Sequence, residues 1–311
     1  MADMNSNLAY NYKIHMLGKS SGTEKNKTYY RVVNDRKYTE TGEMFARLSI
    51  DERKKLLDLI ASDNLDTANN MQDLVVLNDS FYVKYGKRAI DIFISAIALI
   101  VSLPINAIIV SVTLIDVGFP VLFSQRRVGK NGKIFKLYKF RNMTNDTDEK
   151  GVLLPASLRV TKWGRFVRKT SLDELLNFWN VFIGDMSLIG PRPLLEEYEP
   201  YFSERHRQRH LIRGGLDCPI HDGKDRTWQN RLENDVWYVQ NVSLKTDLFL
   251  IGCLIKEALM GNEKEERASG DGGYGAFVGY DEKGNVMDSH HIPLRYFDRI
   301  NCEKNIGEHN Q

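Results

Sequence analysis

From Ile92 to Ile115 the chain runs for 24 residues without a charged side chain. At about 1.5 Å per helical residue that length crosses the ~30 Å hydrocarbon core of a bilayer, so the fold must keep this segment out of water. Pro104 stands in its middle, after Ser102. Proline removes a backbone donor and crowds the preceding turn, which predicts a kink. Both flanks are basic, with Lys84, Lys87 and Arg88 before and Arg126, Arg127, Lys130, Lys133, Lys136 and Lys139 after. Positive residues mark the cytoplasmic side, so two positive flanks predict that both ends return to the same face. The expectation is a re-entrant helix-break-helix over about residues 88–117, each half about twelve residues and roughly 18 Å long. A straight transmembrane helix and a buried helix of a soluble core are the alternatives.

The remainder of the 311 residues has ample length for a buried core. Lys and Arg number 43 against 41 Asp and Glu, so no overall basic excess points to nucleic acid. Cys218, Cys253 and Cys302 are far apart, which argues against a disulfide framework and against a thiolate zinc site. His206 and His210 are four apart but lack the glutamate of a zinc-protease helix. The first residues carry no basic stretch leading into an apolar core, so no cleaved signal peptide is expected. Residues 1–80 read as a soluble accessory region with a strand near Tyr29–Val33 and a helix over Ile50–Ile60. Two strands around Lys130-Asn131-Gly132 predict a hairpin. Leu194–Ile212 has helical spacing, and residues 244–260 form an apolar-rich helix that could pack in the core or lie in a membrane interface. From residue 263 a linker and a small strand-rich tail are expected.

The stretch with chemical promise is Thr170–Pro193. Ser171 followed by Glu174 fits a capping box, with Leu172, Leu175, Leu176 and Trp179 spaced for one buried face. The pattern predicts a helix beginning at Ser171, whose free N–H groups and partial positive charge keep a first-turn carboxylate ionised and attract phosphate. Asp173 and Glu174 then stand between a basic run (Lys162, Arg165, Arg168, Lys169) and the rigid Gly190-Pro191-Arg192-Pro193 corner. An ionised aspartate beside arginines suits nucleophilic attack on phosphorus. Glu174 as a plain cap and Asp173 as a dipole partner is the other reading, because Ser49-Ile50-Asp51-Glu52 repeats the pattern.

Residues 84 to about 260 resemble the bacterial monotopic phosphoglycosyl transferases, the bacterial sugar transferase family. The resemblance rests on Lys87-Arg88-Ala-Ile-Asp91, Gln125-Arg126-Arg-Val-Gly129, Lys139-Phe-Arg-Asn-Met143, Arg168-Lys-Thr-Ser-Leu-Asp-Glu-Leu175, Gly184 to Pro193, Arg209-His210 and Asp235-Val-Trp-Tyr-Val-Gln-Asn241, in that order. It implies a helix-rich α/β monotopic membrane protein: a re-entrant helix plus a compact cytosolic catalytic domain over residues 81–262, with a small hairpin and amphipathic interfacial helices. It implies that Asp173 is the nucleophile and Glu174 its partner at Mg²⁺, and that the pair moves a phosphosugar from a UDP-sugar to polyprenyl phosphate with loss of UMP. Arg88, Arg126, Lys139, Arg141, Arg168, Arg192, Arg209, Lys224 and Asp235 would bind substrate or phosphate, arginine offering the bidentate fork that phosphate suits. The place implied is the inner membrane, catalytic domain on the cytoplasmic face, among membrane lipids and without nucleic acid; a homodimer or downstream glycosyltransferases are further partners left open.

The chain also departs from the family pattern. In place of Arg-Pro-Gly-Ile-Thr-Gly-Trp-Ala-Gln-Val-Asn-Gly-Arg it has Arg213-Gly-Gly-Leu-Asp-Cys-Pro-Ile-His-Asp-Gly-Lys224, one residue shorter. Lys224 replaces the arginine's charge but not its fork. This altered loop keeps open a rival reading, a catalytically impaired membrane-anchored scaffold of a glycan-assembly complex.

Overall fold

In the computed structural model, residues 39–309 are described apart from 72, 79, 148–150, 152–155 and 261–274. The strand expected near Tyr29 and the linker after 263 lie outside the described residues. Helices α1 (Glu40–Arg47) and α2 (Ile50–Met71) open the described chain. The capping box at the start of α2 is formed, Ser49 N donating to Glu52 Oε2 at 2.7 Å and Glu52 N to Ser49 Oγ at 3.3 Å.

After a π-helical turn at Tyr82–Gly86, helix α3 runs from Lys87 to Asp116. No stretch of non-helical residues separates two halves at Pro104: α3 continues through the proline as one 30-residue α-helical element. Proline deletes a single backbone bond here, and side chains brace the same turns, Ser102 Oγ donating to Leu99 O and Asn106 Nδ2 to Ser102 Oγ. The middle of α3 presents Ile97, Ile100, Val101, Leu103 and Ile108 to the outside. Its two ends are tied to the globular part. Near the start, Lys87 pairs with Asp247 at 2.6 Å, and Asp91 accepts from Ser187 Oγ and Leu188 N, both at 3.0 Å. Near the end, Trp163 Nε1 donates to Thr113 Oγ1, Thr161 Oγ1 donates to Asp116 Oδ2, and Ile109 packs with Phe140 and Val167.

The expected hairpin is present, β1 (Leu122–Val128) antiparallel to β2 (Ile134–Phe140), with Asn131 in the left-handed region at φ 55°. Next come α4 (Lys162–Lys169) and α5 (Asn177–Ile183). A short parallel pair follows, β3 (Ser187–Ile189) beside β4 (Gly215–Asp217), then α6 (Trp228–Asn241) and α7 (Leu244–Met260). The segment expected as one helix over Leu194–Ile212 is three short helical pieces instead: a 3-10 stretch that contains Pro200 ends at Tyr201, and Ser203 Oγ caps a fresh turn at His206 N. The tail differs too. Strands β5 (Phe277–Tyr280) and β6 (Val286–Asp288) form a bulged hairpin, followed by a full helix, α8 (Leu294–His309).

The two flanks meet in one core. Phe45, Leu56 and Ile60 pack with Phe277, Tyr280 and Tyr296, and all of them pack on Tyr198, Phe202, Trp228 and Leu232. Tyr280 Oη donates to Ser203 Oγ at 3.1 Å and sits 2.8 Å from Nδ1 of His206, whose Nε2 is 3.0 Å from Glu233. His206 is therefore a structural histidine.

Candidate active site

Glu174 is the point where three elements converge. Lys139, at the end of β2, donates to its Oε1 at 2.7 Å, and Arg192, just past β3, donates to the same oxygen at 2.5 Å. Two residues before Arg192 the Gly190 backbone lies tight against Arg213 and Gly215. Gly190 lies at φ 155°, and a Cβ there would meet Arg213 O at 2.8 Å; a side chain on Gly215 would collide with the Gly190 backbone. Arg192 Nη1 also donates to Leu216 O at 2.5 Å.

The helix expected from Ser171 does not begin there. Ser171 is left-handed (φ 56°) and makes no capping bond; a 3-10 turn, Leu172–Glu174, intervenes before α5 starts at Asn177. The glutamate that would close the capping box is drawn away by two cations, whose charge-assisted bonds outweigh one backbone N–H. Leu172, Leu175 and Leu176 anchor the turn on Ile109, Phe140 and Val167. Asp173 is thereby turned inward, 7% exposed. Asn142 Nδ2 approaches its Oδ2 at 3.4 Å, and Arg168 Nε holds Asn142 Oδ1 at 3.0 Å.

The two adjacent carboxylates are pushed apart electrostatically. Burial raises the Asp173 pKa, helped by the negative Glu174 and opposed by Lys139 and Arg168. Glu174 moves the other way: burial alone would raise it, but Arg192 and Lys139 together hold it well below the usual carboxylate range. The expectation that a helix N-terminus keeps Asp173 ionised is thus corrected; lysine and arginine oppose its burial instead. Opposite shifts on neighbouring acids assign them different work. Asp173 is thereby the more basic of the two carboxylates, and Glu174 is the one its cations hold ionised.

Among the described residues no group of three or more His, Cys, Asp or Glu could hold a metal. Asp173 and Glu174 suit a different arrangement, because Mg²⁺ needs only one or two carboxylates when phosphate oxygens complete its shell. Both cationic partners of Glu174 bond to Oε1, and no bond to Oε2 is formed among the described residues.

The other residues singled out in the sequence divide. Lys139, Arg168 and Arg192 join the carboxylate pair. Arg88 does not: it donates to Val181 O (2.6 Å) and Phe182 O (2.7 Å), capping the last turn of α5. Arg141 likewise closes the end of α3, bonding the carbonyls of Val117 and Gly118. Arg126 is an exposed partner of Glu196. Arg209 and Asp235 form a buried pair at 2.7 Å, and Arg209 also holds Arg192 O at 2.7 Å, so this pair supports the corner from behind. Lys224 pairs with Asp222 on the surface. Two groups went unmarked. Asn142 lies inside a motif quoted above but bears no charge to draw notice. Arg226, which bonds Asp217 and Glu257, is out of register with the family's arginine.

The description "Bacterial sugar transferase" matches residues 82–261, more than half of the chain. The chain belongs to the bacterial sugar transferase family. Within it, the sugar transferase EpsL of Bacillus subtilis is 40% identical over 176 residues, 56% of this chain and 87% of EpsL. The UDP-glucose:undecaprenyl-phosphate glucose-1-phosphate transferase of Klebsiella pneumoniae is 37% identical over 177 residues, 53% of this chain but 38% of that protein. The UDP-N-acetylgalactosamine-undecaprenyl-phosphate N-acetylgalactosaminephosphotransferase of Aeromonas hydrophila is 33% identical over 187 residues, 56% of this chain and 44% of that protein. The chain thus spans less than half the length of these last two relatives. The matched residues include α3, the hairpin, the Asp173-Glu174 turn and α7, and exclude α1, α2 and the β5–α8 tail.

Proposed function

We propose that the protein transfers a phosphosugar from a UDP-sugar to polyprenyl phosphate through a covalent intermediate on Asp173. The observation that carries this reading is the buried Asp173, its pKa raised, beside a Glu174 clamped by Lys139 and Arg192. A carboxylate oxygen of Asp173 attacks the phosphorus that bears the sugar; the P–O bond to the other phosphate breaks, and UMP leaves with the electron pair. An oxygen of polyprenyl phosphate then attacks the same phosphorus and releases the carboxylate. Lys139, Arg168 and Arg192 neutralise the oxygens on which charge builds, in a site already arranged for it. Arg168 also holds Asn142, which keeps Asp173 aimed. A Mg²⁺ ion held by Glu174 and Asp173 would supply further charge neutralisation on the diphosphate.

The same reading puts the site at a membrane surface. Both ends of α3 bind the same globular part while its middle is apolar and exposed, which supports a helix that enters a bilayer and leaves by the face it entered. Trp179, Phe182 and Ile183 on α5 and Leu248 and Phe249 on α7 are exposed apolar groups suited to the lipid interface. The basic flanks support the cytoplasm as that face. The intact charge arrangement favours an enzyme over a scaffold.

UMP release from a panel of UDP-sugars, with and without undecaprenyl phosphate, tests the reading. One equivalent of UMP without acceptor and continuous turnover with it is the expected result. Normal turnover by Asp173→Asn, or no UMP from any UDP-sugar, would overturn it.

A further inference from the structure

The divergent 213–224 segment puts a lysine where the family pattern has an arginine, yet Lys224 takes no part in the site. Its ammonium is 2.7 Å from Asp222 within its own loop, and its side chain is 66% exposed. Two residues on, Arg226 is 23% exposed and turned the other way. Its Nη1 is 3.6 Å from Asp217 Oδ2, and its Nη2 is 2.8 Å from Glu257 Oε2 on α7. Asp217 ends β4 next to Leu216, whose carbonyl accepts from Arg192 Nη1 at 2.5 Å, and its charge helps raise the pKa of Arg192.

Charges therefore alternate along one line: Lys139, Glu174, Arg192, Asp217, Arg226, Glu257. Glu174 has two cationic partners, and so does Asp217. Glu257 ends the line and is its most exposed carboxylate, 37% against 23% for Glu174 and 17% for Asp217. Solvent screens that last bond most, so it is the easiest to exchange. Of the two arginines in this line, Arg192 is held by the less exposed Glu174 and Arg226 by the more exposed Glu257, so Arg226 is the readier to exchange its carboxylate for an incoming diphosphate. Its planar fork matches two phosphate oxygens at once.

We propose that Arg226 is a substrate-binding residue of this chain, exchanging Glu257 for the diphosphate of a nucleoside diphosphate-sugar. It fills the role that sequence register gives to Lys224. The inference rests on the transfer reaction above and adds the residue through which the altered loop meets its substrate. Asp217 stays in place and keeps the guanidinium aimed as Glu257 is released.

The test uses the full chain in detergent, with UMP release as the kinetic readout and UDP-induced thermal stabilisation as a binding readout that needs no turnover. Arg226→Gln is expected to raise KM for the UDP-sugar about tenfold or more, the scale of a lost hydrogen bond to a charged group, and to weaken UDP stabilisation in parallel. Arg226→Lys should restore charge without restoring KM. Glu257→Gln, which removes the competitor, should lower KM. Lys224→Gln should match the parent protein in both readouts. A parent-like KM in Arg226→Gln, or an equal rise in Lys224→Gln, overturns the inference while leaving the reaction standing. Absence of UMP from the parent protein would instead refute the reaction, and UDP stabilisation that Arg226→Gln leaves unchanged would then overturn the role of Arg226 as well.

Discussion

Replacing Asp173 by asparagine should abolish turnover and stabilise the protein. A carboxyl group whose pKa is raised in the folded state binds its proton more tightly there than in the unfolded chain. Below the ordinary carboxylate pKa of about 4 both states are protonated and the group costs nothing. As the pH rises through that value and then through the folded pKa, the unfolded chain ionises first, and the folded state loses stability relative to it. Each unit of elevation costs about 1.4 kcal/mol once the pH exceeds both values. At 7% exposure, little of that is screened by solvent. An asparagine carries no such cost, and its side-chain oxygen still accepts from Asn142. For a protein of this size each kcal/mol moves the melting temperature by roughly 1–2 °C. Thermal unfolding of parent and variant at one scan rate, from pH 4 to pH 8, should show curves that coincide near pH 4 and separate upward, the variant melting higher at pH 8. A constant gap, or a variant that melts lower at pH 8, would refute the claim that burial dominates at Asp173.

Glu174→Gln should also lose turnover but with the opposite stability effect. It leaves Lys139 and Arg192 converged without their anion, at a cost of about 2 kcal/mol once partial exposure is allowed for, seen as a lower melting temperature. Tyr280→Phe should cost about 1–3 kcal/mol, because its hydroxyl serves Ser203 and His206 in a buried setting, while KM for the UDP-sugar stays unchanged. Residues 39 and 302, either side of α3, should be labelled from the same face of a sealed vesicle by an impermeant reagent, at Cys302 and at a cysteine replacing Thr39. Labelling from opposite faces would remove re-entry.

Local signals were legible where no stronger partner competed for them. Ser49 and Glu52 form the box their spacing predicts, each backbone N–H donating to the other's side chain. Ser171 and Glu174 have the same spacing, but Lys139 and Arg192 arrive from 35 and 18 residues away in the chain, and no local rule could see them. The hairpin was readable because Asn131-Gly132 tolerates the left-handed turn that its strands require. Pro104 misled in degree: one missing backbone bond does not break a helix whose neighbouring turns are braced. Among the basic residues, sequence could not separate Lys139 from Arg88 or Arg141, because a guanidinium that binds phosphate and one that closes a helix end are the same chemical group. The proposed exchange of Lys224 for Arg226 was invisible for the opposite reason. Register assigns one position, and the fold reaches across with the next suitable side chain.

The shared core of the two flanks bears on how the chain can be handled. Tyr198, Phe202, Trp228 and Leu232 belong to the region matched by the family, yet their outer covering is made by α1 and α2 from one end and by β5–α8 from the other. Cutting at either border of the matched region would strip the lining from a row of aromatic rings and leave it facing solvent. Such a fragment would be sticky rather than minimal, prone to associate through a surface the intact chain never shows. A fragment meant to behave as the whole has to keep both α1–α2 and the β5–α8 tail.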